Sequence, residues 1–349
     1  MADGAARRTC GDADLARHAT AALIEEAELT PKPALVDGRG SGAHRDLDLP
    51  TMRRSARALE ATFAALARAA RYRIPSATLR AELAQIGRAG EQAMLHATDG
   101  SNAHRGAIWI VGLLVAGAAM ASVAARSDGG SAGRGAASGS GTGGGVAATA
   151  ASISVGERAG AAAAVSLAGP AHSVADASEA SVAHAARICS LGAQIACFPD
   201  RFAPPADTHG EAVRRRYQVG GARREAQDGF PHVVGIGLPA LRHARAQGAG
   251  ENAARVDALL AIMASLDDTC LLHRAGRTGL QAAQRGAQRV LAAGGSATPA
   301  GAAALNVLER ALIALNASPG GAADLLAATL FLDKLSRQDF IGSTASWNI

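Results

Sequence analysis

Aromatic residues make up only 3% of this 349-residue sequence, and β-branched residues are also few. Alanine, leucine and arginine dominate instead, and all three are strong helix formers. This composition predicts an all-α fold. Because 48% of the residues are apolar, the chain can build a sizeable core, as one large domain or two small ones.

Lysine is nearly absent, since the sequence contains only Lys32 and Lys334. A phosphate-binding P-loop needs glycine and lysine followed by serine or threonine, and no glycine precedes either lysine. P-loop chemistry is therefore excluded. The net charge of +5 comes mainly from arginines that are spread along the chain, without a basic run interleaved with aromatics. This distribution predicts no nucleic-acid partner, although a mild positive excess suits a phosphate-bearing ligand.

Paired cysteine motifs are missing as well. The four cysteines form no CxxC pattern, and no histidine completes a zinc site around them. Reduced thiols in a cytosolic protein are the simplest account. The N-terminal residues have no apolar signal-peptide core, so the sequence predicts a cytoplasmic location.

One stretch does reach membrane-spanning length, because residues 106 to 125 carry no charge. A helix that other helices bury on all sides has the same composition. We expect a buried central helix and no membrane, because the flanking residues are those of a binding site rather than of a membrane interface.

Apolar residues recur at helical spacing along most of the chain, from a first helix at residues 12 to 29 to a last helix that starts near residue 318. The exception is a Gly/Ser/Ala-rich segment, residues 126 to 147, whose composition is typical of a flexible connector. We therefore predict a single multi-helix bundle domain over residues 12 to 340, with this connector inside it.

Acidic residues stand in costly positions on two predicted helices. Glu25 lies near the C-terminal end of the first helix, where a cation would relieve its repulsion from the helix dipole, unless it faces solvent. A single helix is predicted from about residue 251 through the segment DDTCLLHRAG, which places Asp267 on the core-facing stripe with Asp268 beside it. Buried acids need a counter-charge, which is either Mg²⁺ or an arginine such as Arg274.

A loop at residues 30 to 48 is dense in charge and shaped by two prolines and three glycines. It carries His44, Asp46 and Asp48, and we expect its acids to face a charged ligand. The structural alternative is that Asp48 simply caps the helix that follows.

Two predicted helix starts offer free backbone N–H groups, which favour anions. The first spans residues 102 to 106 and includes Arg105, and the second spans residues 318 to 321. The alternative at the first is that His104 only satisfies the helix end.

Seven motifs stand in order along the chain: PKPALVD, GAHRDLD, TDGSNAHRGAIW, THGE, GARREAQDGFP, DDTCLLHRAG and SPGGAADLLAATLF. Together they resemble the triphosphoribosyl-dephospho-CoA synthase family, from about residue 20 to 335. The cysteine in DDTCLLHR and the long alanine-rich middle are more similar to the malonate decarboxylase branch. The chain departs from the family pattern at Ala34, Asp99 and Ala275, where the family usually has glycine, and at Ala103, where it usually has threonine.

The resemblance implies an all-helical transferase that joins ATP to 3′-dephospho-CoA and releases adenine. The implied product, 2′-(5″-triphosphoribosyl)-3′-dephospho-CoA, is the precursor of the prosthetic group of malonate decarboxylase or citrate lyase. The implied partners downstream are the phosphoribosyl-dephospho-CoA transferase and the acyl carrier subunit. The alternatives are a magnesium-dependent hydrolase of ADP-ribose-type N-glycosides and a nucleotide-binding module without catalysis.

The implied chemistry is substitution at the anomeric carbon of ATP's ribose, and it assigns roles to the residues above. We expect Asp46 or Asp48 to act as the base with His44 nearby, and Glu25, Asp267 and Asp268 to hold Mg²⁺. The expected nucleotide- and phosphate-binding residues are Lys32, Asn102, His104, Arg105, Gly106, Arg223, Arg274, Ser318 and Gly320.

Overall fold

A computed structural model describes residues 10–131, 171–203 and 209–344 of the chain, and helices account for nearly all regular structure in these ranges. The first range holds α1 (Asp12–Glu28), α2 (Leu49–Ala58), α3 (Glu60–Ala70), α4 (Ala77–Ala97) and α5 (Arg105–Ser131). The later ranges hold α6 (Ala171–Cys197), α7 (His209–Tyr217), α8 (Gly221–Gln227), α9 (Leu238–Ala246), α10 (Glu251–Met263), α11 (Thr269–Ala292), α12 (Pro299–Ala314) and α13 (Gly320–Thr344). A π-helical turn, Val233–Gly237, leads into α9. The predicted all-α fold is confirmed.

Helix α5 lies at the centre of the packing, in contact with α1, α3, α4, α6, α8 and α13. Its stretch Arg105–Ser122 is long and apolar enough to cross a membrane, but 78% of that stretch is buried inside the protein. Helix α6 packs closely against α5 at Gly117, where any side chain would clash with the backbone oxygen of Ile188. The burial of α5 by other helices therefore accounts for its apolar sequence.

The helix predicted to run without a break from residue 251 through DDTCLLHRAG is wrong. Helix α10 ends at Met263 and α11 begins at Thr269, so that Asp267 and Asp268 lie in the connection between them. The physical reason is that the Asp268 side chain accepts backbone N–H groups at the start of α11, and such a cap starts a new helix. Helix α11 is itself kinked at Gly276, whose φ of 61° favours glycine.

The first six residues of the predicted connector are helical. Residues 126 to 131 belong to the end of α5, and residues 132 to 147 lie outside the described part of the chain.

The loop between α1 and α2 is a compact structure rather than an open excursion. Leu35, Val36, Ala43 and Leu47 are all buried. Gly42 has a φ of 57° and sits directly on the backbone oxygens of residues 34 and 35, so that no side chain fits there. The sequence correctly indicated that glycines shape this loop, which fixes the side chains at its two ends.

Two departures from the family pattern fall on backbone positions that favour glycine. Ala34 has a φ of 59° and Asp99 a φ of 53°, both in the left-handed region. The backbone therefore keeps a glycine-like conformation at both positions although the residue has changed.

Candidate active site

Four helix ends meet around a group of ionisable side chains: the C-terminal end of α1 and the N-terminal ends of α5, α11 and α13. We call this group the inner cluster, and its members are Glu26, Lys32, His104, Asp268 and Asp324. Asp324 is half-buried, and the other four are each exposed by 3% or less. Such a concentration of buried ionisable groups is a marker of a functional site.

Lys32 forms a fully buried ion pair with Glu26. Its Nζ donates to Oε1 and to the backbone oxygen of Glu26, at 2.6 Å in each case. The surrounding loop holds the lysine in place, because its backbone N–H donates to Asp37 Oδ2 at 2.9 Å. Arg39 pairs with the same aspartate and also with Glu309, at 2.6 Å, which ties the loop to α12. Lys32 was predicted to bind phosphate, and its ammonium group is instead engaged by the protein.

Asp324 occupies the start of α5. The backbone N–H of Ala107 donates to its carboxylate, and that carboxylate fills the space that a side chain at Gly106 would need. Burial, followed by the negative charges of Glu26 and Asp268, raises the pKa of Asp324 well above its usual range. The helix start that the sequence assigned to a ligand's anion thus holds a carboxyl group of the chain itself, in an environment that favours its protonated form.

His104 has one ring nitrogen engaged and one unpaired. Its Nδ1 lies 2.6 Å from the hydroxyl of Ser55, whereas its Nε2 is buried without a hydrogen-bond partner in the described chain. Burial, with a smaller effect from the charge of Lys32, lowers the pKa of His104 to about 3. The imidazole is therefore neutral at pH 7.

His44 lies beside the start of α13. Its Nε2 is 2.8 Å from the hydroxyl of Ser318, and its Nδ1 is 3.9 Å from Asp46 Oδ1. Burial, and then the charge of Arg274, lowers the pKa of His44, while Asp46 partly offsets that effect. The structure therefore brings three predicted residues, His44, Arg274 and Ser318, together with a neutral imidazole among them.

Arg274 is fixed by the protein backbone. It donates to the backbone oxygen of Ala43, and to the backbone oxygen and Oδ1 of Asn316 at 2.9 and 3.0 Å. Gly320 lies nearby, where an added Cβ would be only 3.0 Å from the sulfur of Cys270. Burial raises the pKa of this thiol well above its usual range, so Cys270 is not a thiolate nucleophile at neutral pH.

The other residues predicted on the loop and the helix start lie at the rim. Asp46 and Asp48 are exposed, and Asp48 caps α2 by accepting the backbone N–H of Thr51 at 2.8 Å, as the structural alternative held. Asn102 plays a similar part at α5, where its Oδ1 accepts the N–H of Arg105 at 3.2 Å.

The three residues predicted to hold Mg²⁺ are not brought together. Asp268 is buried, and backbone N–H groups of both α11 and α13 saturate its carboxylate, among them Cys270 at 2.8 Å and Ala322 at 2.9 Å. Asp267 is exposed and lies near His232 instead. These backbone hydrogen bonds favour the ionised carboxylate, but burial outweighs them and raises the pKa of Asp268.

Glu25 belongs to a different region, which we call the outer cluster. Its members are Glu25, Arg245, Glu251, Arg255, Asp333 and Lys334. Glu25 pairs with Lys334, and with Arg255 at 3.0 Å. Within the described residues, no group of three or more His, Cys, Asp or Glu side chains is arranged to hold a metal ion.

The remaining two predicted arginines face the opposite side of the α5 start. Arg105 pairs with Glu91 and lines a cavity between α3, α4 and α5. Arg223 is exposed on α8, and its charge adds to burial in lowering the pKa of Arg80 in the same cavity. The arginines of the predicted set thus flank the inner cluster rather than entering it.

Sequence reasoning gave no role to Asp324 or to Glu26. A signal for each was present. Asp324 is the one charged residue in the run GGAADLLAATLF, and Glu26 continues the buried stripe of Ala19 and Leu23, whereas Glu25 does not.

Comparisons with known proteins agree over nearly the whole chain. A family model described as CitG, ATP:dephospho-CoA triphosphoribosyl transferase, matches residues 12–340. A relative from Pseudomonas paraeruginosa, called a probable 2-(5''-triphosphoribosyl)-3'-dephosphocoenzyme-A synthase, is 51% identical over 322 residues, which are 92% of this chain and 90% of the relative. A 2-(5''-triphosphoribosyl)-3'-dephosphocoenzyme-A synthase from Klebsiella pneumoniae is 47% identical over 322 residues, or 92% of this chain and 94% of the relative. No solved structure matches.

Proposed function

This chain belongs to the ATP:dephospho-CoA triphosphoribosyl transferase family, and from that premise we propose the reaction that it catalyses and the residues that carry it. It joins ATP to 3′-dephospho-CoA and releases adenine. The 2′-oxygen of the acceptor's adenosine ribose bonds to the anomeric carbon of ATP's ribose, while the bond from that carbon to adenine breaks. The triphosphate stays on the transferred sugar, which agrees with the missing P-loop.

The inner cluster is the observation that carries this proposal. Breaking a bond at an anomeric carbon passes through an oxocarbenium-like state and requires a proton for the leaving group. Asp324 is suited to give that proton to the departing adenine, because burial and the neighbouring acids raise its pKa and so favour the protonated carboxyl. The negative charges of Glu26 and Asp268 close by favour the positive charge that develops on the sugar.

His44 is suited to take the proton of the attacking hydroxyl. Its imidazole is neutral at pH 7, and Asp46 lies 3.9 Å away, where its charge stabilises the imidazolium that forms. The sequence grouped His44 with Asp46 and Asp48 and made one of the acids the base. We keep this grouping but propose that His44 itself accepts the proton of the hydroxyl. Asp48, as the cap of α2, holds the loop rather than the substrate.

Phosphate binding falls to Arg274 for the triphosphate of ATP and to Arg105 for the second substrate. Arg274 is half-buried and held at three protein oxygens, so its orientation is fixed before a ligand arrives. Mg²⁺ enters with the triphosphate, since this ion is commonly held by one or two carboxylates together with phosphate oxygens.

We propose that the product becomes the prosthetic-group precursor of malonate decarboxylase, rather than of citrate lyase, in the cytoplasm. The product would then pass to a phosphoribosyl-dephospho-CoA transferase and to the acyl carrier subunit. Supplying purified acyl carrier subunits of each complex, together with that transferase, tests which one is modified.

Adenine release tests the reaction itself. We expect the purified protein with Mg²⁺ to release adenine when ATP and dephospho-CoA are both present, as measured by chromatography. Release from ATP alone would identify an N-glycoside hydrolase instead. Binding of ATP with no release under any condition would identify a module without catalysis. Either result would overturn the proposed function.

A further inference from the structure

A cavity lies beside the start of α5, where Arg105 lines it. It has a volume of about 220 Å³ and lies between α3, α4 and α5. Its inner wall is apolar, formed by Leu66, Leu83, Ile108 and Leu113. Pockets that enclose a whole drug-sized ligand are roughly 300–1,000 Å³. This cavity therefore fits one slender arm of a ligand rather than an entire nucleotide.

Arginines surround the cavity in excess over acids. Arg80, Arg88 and Arg105 face only two carboxylates, Glu91 and Asp200, which leaves one positive charge uncompensated. Asp200 is shared, since it lies 2.7 Å from Arg88 and 4.0 Å from Arg80. An anion at the rim would complete this arrangement.

Two of these guanidinium groups also have donors without acceptors. The Nε atoms of Arg80 and Arg105 are buried and have no hydrogen-bond partner in the described chain. Arg80 is only 8% exposed and stacks 4.6 Å above the ring centre of Trp109, so its position is fixed. Buried donors without partners are costly, and phosphate oxygens are the acceptors that arginine binds best.

We infer that this cavity holds the pantetheine arm of dephospho-CoA, with the diphosphate of that substrate at the three arginines. The inference rests on the proposed function. Arg105 is adjacent in sequence to Gly106, which contacts the carboxylate of Asp324. In dephospho-CoA the diphosphate separates the arm from the adenosine. A diphosphate at Arg105 therefore directs the arm into the cavity and the adenosine ribose, with its attacking hydroxyl, toward the inner cluster.

ATP fits this cavity less well. Its adenine must leave from the inner cluster, and it carries no uncharged arm on the far side of its phosphates. The apolar wall would then have no occupant.

Filling the cavity tests the inference. Ala84 lines the cavity on α4, so Ala84→Leu occupies the space of the arm. Ala89→Leu makes the same change at an exposed position of the same helix and serves as the control. Titration calorimetry measures the binding of dephospho-CoA, of 4′-phosphopantetheine and of ATP to the full-length protein, independently of turnover.

We expect Ala84→Leu to weaken the binding of dephospho-CoA and of 4′-phosphopantetheine by about tenfold or more, since an arm excluded from an apolar pocket loses more than about 1.4 kcal/mol. ATP binding should be unchanged, and Ala89→Leu should match the wild type with all three ligands. Arg88→Gln should weaken dephospho-CoA by about tenfold as well, because a charge-assisted contact is lost.

Two results would overturn the inference. Ala84→Leu could weaken ATP rather than dephospho-CoA, which would assign the cavity to the other substrate, or it could leave all three ligands unaffected. Adenine release by the wild type is measured as well, and it distinguishes a failure of this inference from a failure of the proposed function. If release occurs and the calorimetric result fails, only the cavity assignment is wrong, and if release fails while the calorimetric result holds, only the reaction is wrong.

Discussion

Glu25 and Glu26 are neighbours at the end of α1, yet they enter two different regions of the molecule. Glu26 belongs to the inner cluster, where it is 3% exposed and pairs with Lys32. Glu25 belongs to the outer cluster, where it pairs with Lys334 and Arg255 at a partly exposed surface. Each region thus holds one of the chain's only two lysines.

The two clusters are equally dense in charge but differ in how that charge is compensated. In the outer cluster each acid faces at least one cation, and hydrogen bonds from Arg245 and Arg255 lower the pKa of Glu251 to about 2. In the inner cluster Asp324 has acids for neighbours, and its pKa is raised. The density of charged residues alone therefore does not distinguish the two regions, whereas a carboxyl group without a cation does.

The largest expected effect comes from Asp324→Asn. This change keeps the shape and removes the proton donor, so we expect adenine release to fall by about 10²–10⁴-fold. The matched control is Asp14→Asn, the same change at a partly exposed acid of α1. Chromatography gives the rate, and circular dichroism checks that the variant is folded. A folded variant with full activity would remove Asp324 from the mechanism.

The two lysines offer the next test, which uses stability. Lys32→Met leaves Glu26 buried without its partner, and breaking a buried pair typically costs about 3–5 kcal/mol. Lys334→Met leaves Glu25 with Arg255 at a partly exposed site, where the loss should stay below about 1 kcal/mol. Urea denaturation measures both free energies of unfolding. Equal losses would contradict the contrast between the clusters.

The pH dependence of stability should have opposite signs in the two regions. For Asp324 the folded pKa lies above the usual 3.8, so the native state binds the proton more tightly than the unfolded state. Its contribution to stability is fully present below the unfolded pKa of 3.8 and is lost as the pH rises toward the folded pKa. Asp324→Asn should therefore gain in stability relative to the wild type as the pH rises from 4 to 7. A constant difference across this range would show that the carboxyl is not perturbed.

For Glu251 the sign is reversed and the effect is the smallest. Its pKa falls from 4.5 to about 2 on folding, so its contribution is present above pH 4.5 and is lost as the pH falls toward 2. Because the side chain is 40% exposed, solvent screening should keep this contribution below about 1 kcal/mol. Urea denaturation of Glu251→Gln should show a small deficit at pH 7 that shrinks toward pH 2. A deficit that grows in acid would contradict the pairing.

Periodicity and composition predicted the helical fold and the buried central helix, because helix formers and apolar stripes act locally along the chain. The same information could not separate Asp267 from Asp268. One carboxylate caps α11 and reaches across to α13, and the partner N–H of Ala322 is 54 residues away. Contacts of that range depend on how the helices pack.

The candidate site was predicted in part, for a related reason. The sequence identified His44, Arg274 and Ser318, which do lie together, because each stands in a motif beside a helix start. It assigned the start of α5 to a ligand, since nothing local shows that Asp324 will fill it. At Ala34 and Asp99, by contrast, the resemblance alone was enough, because the family's glycines at these two positions indicate a positive φ.

Asp268 has a consequence for the motions of the protein. One carboxylate accepts N–H groups from Cys270 and Leu271 on α11 and from Ala322 on α13, so neither helix can fray at its first turn without releasing the other. Hydrogen exchange should register these distant amides as a single opening unit. The first turns of α11 and α13 would then open together or both stay closed.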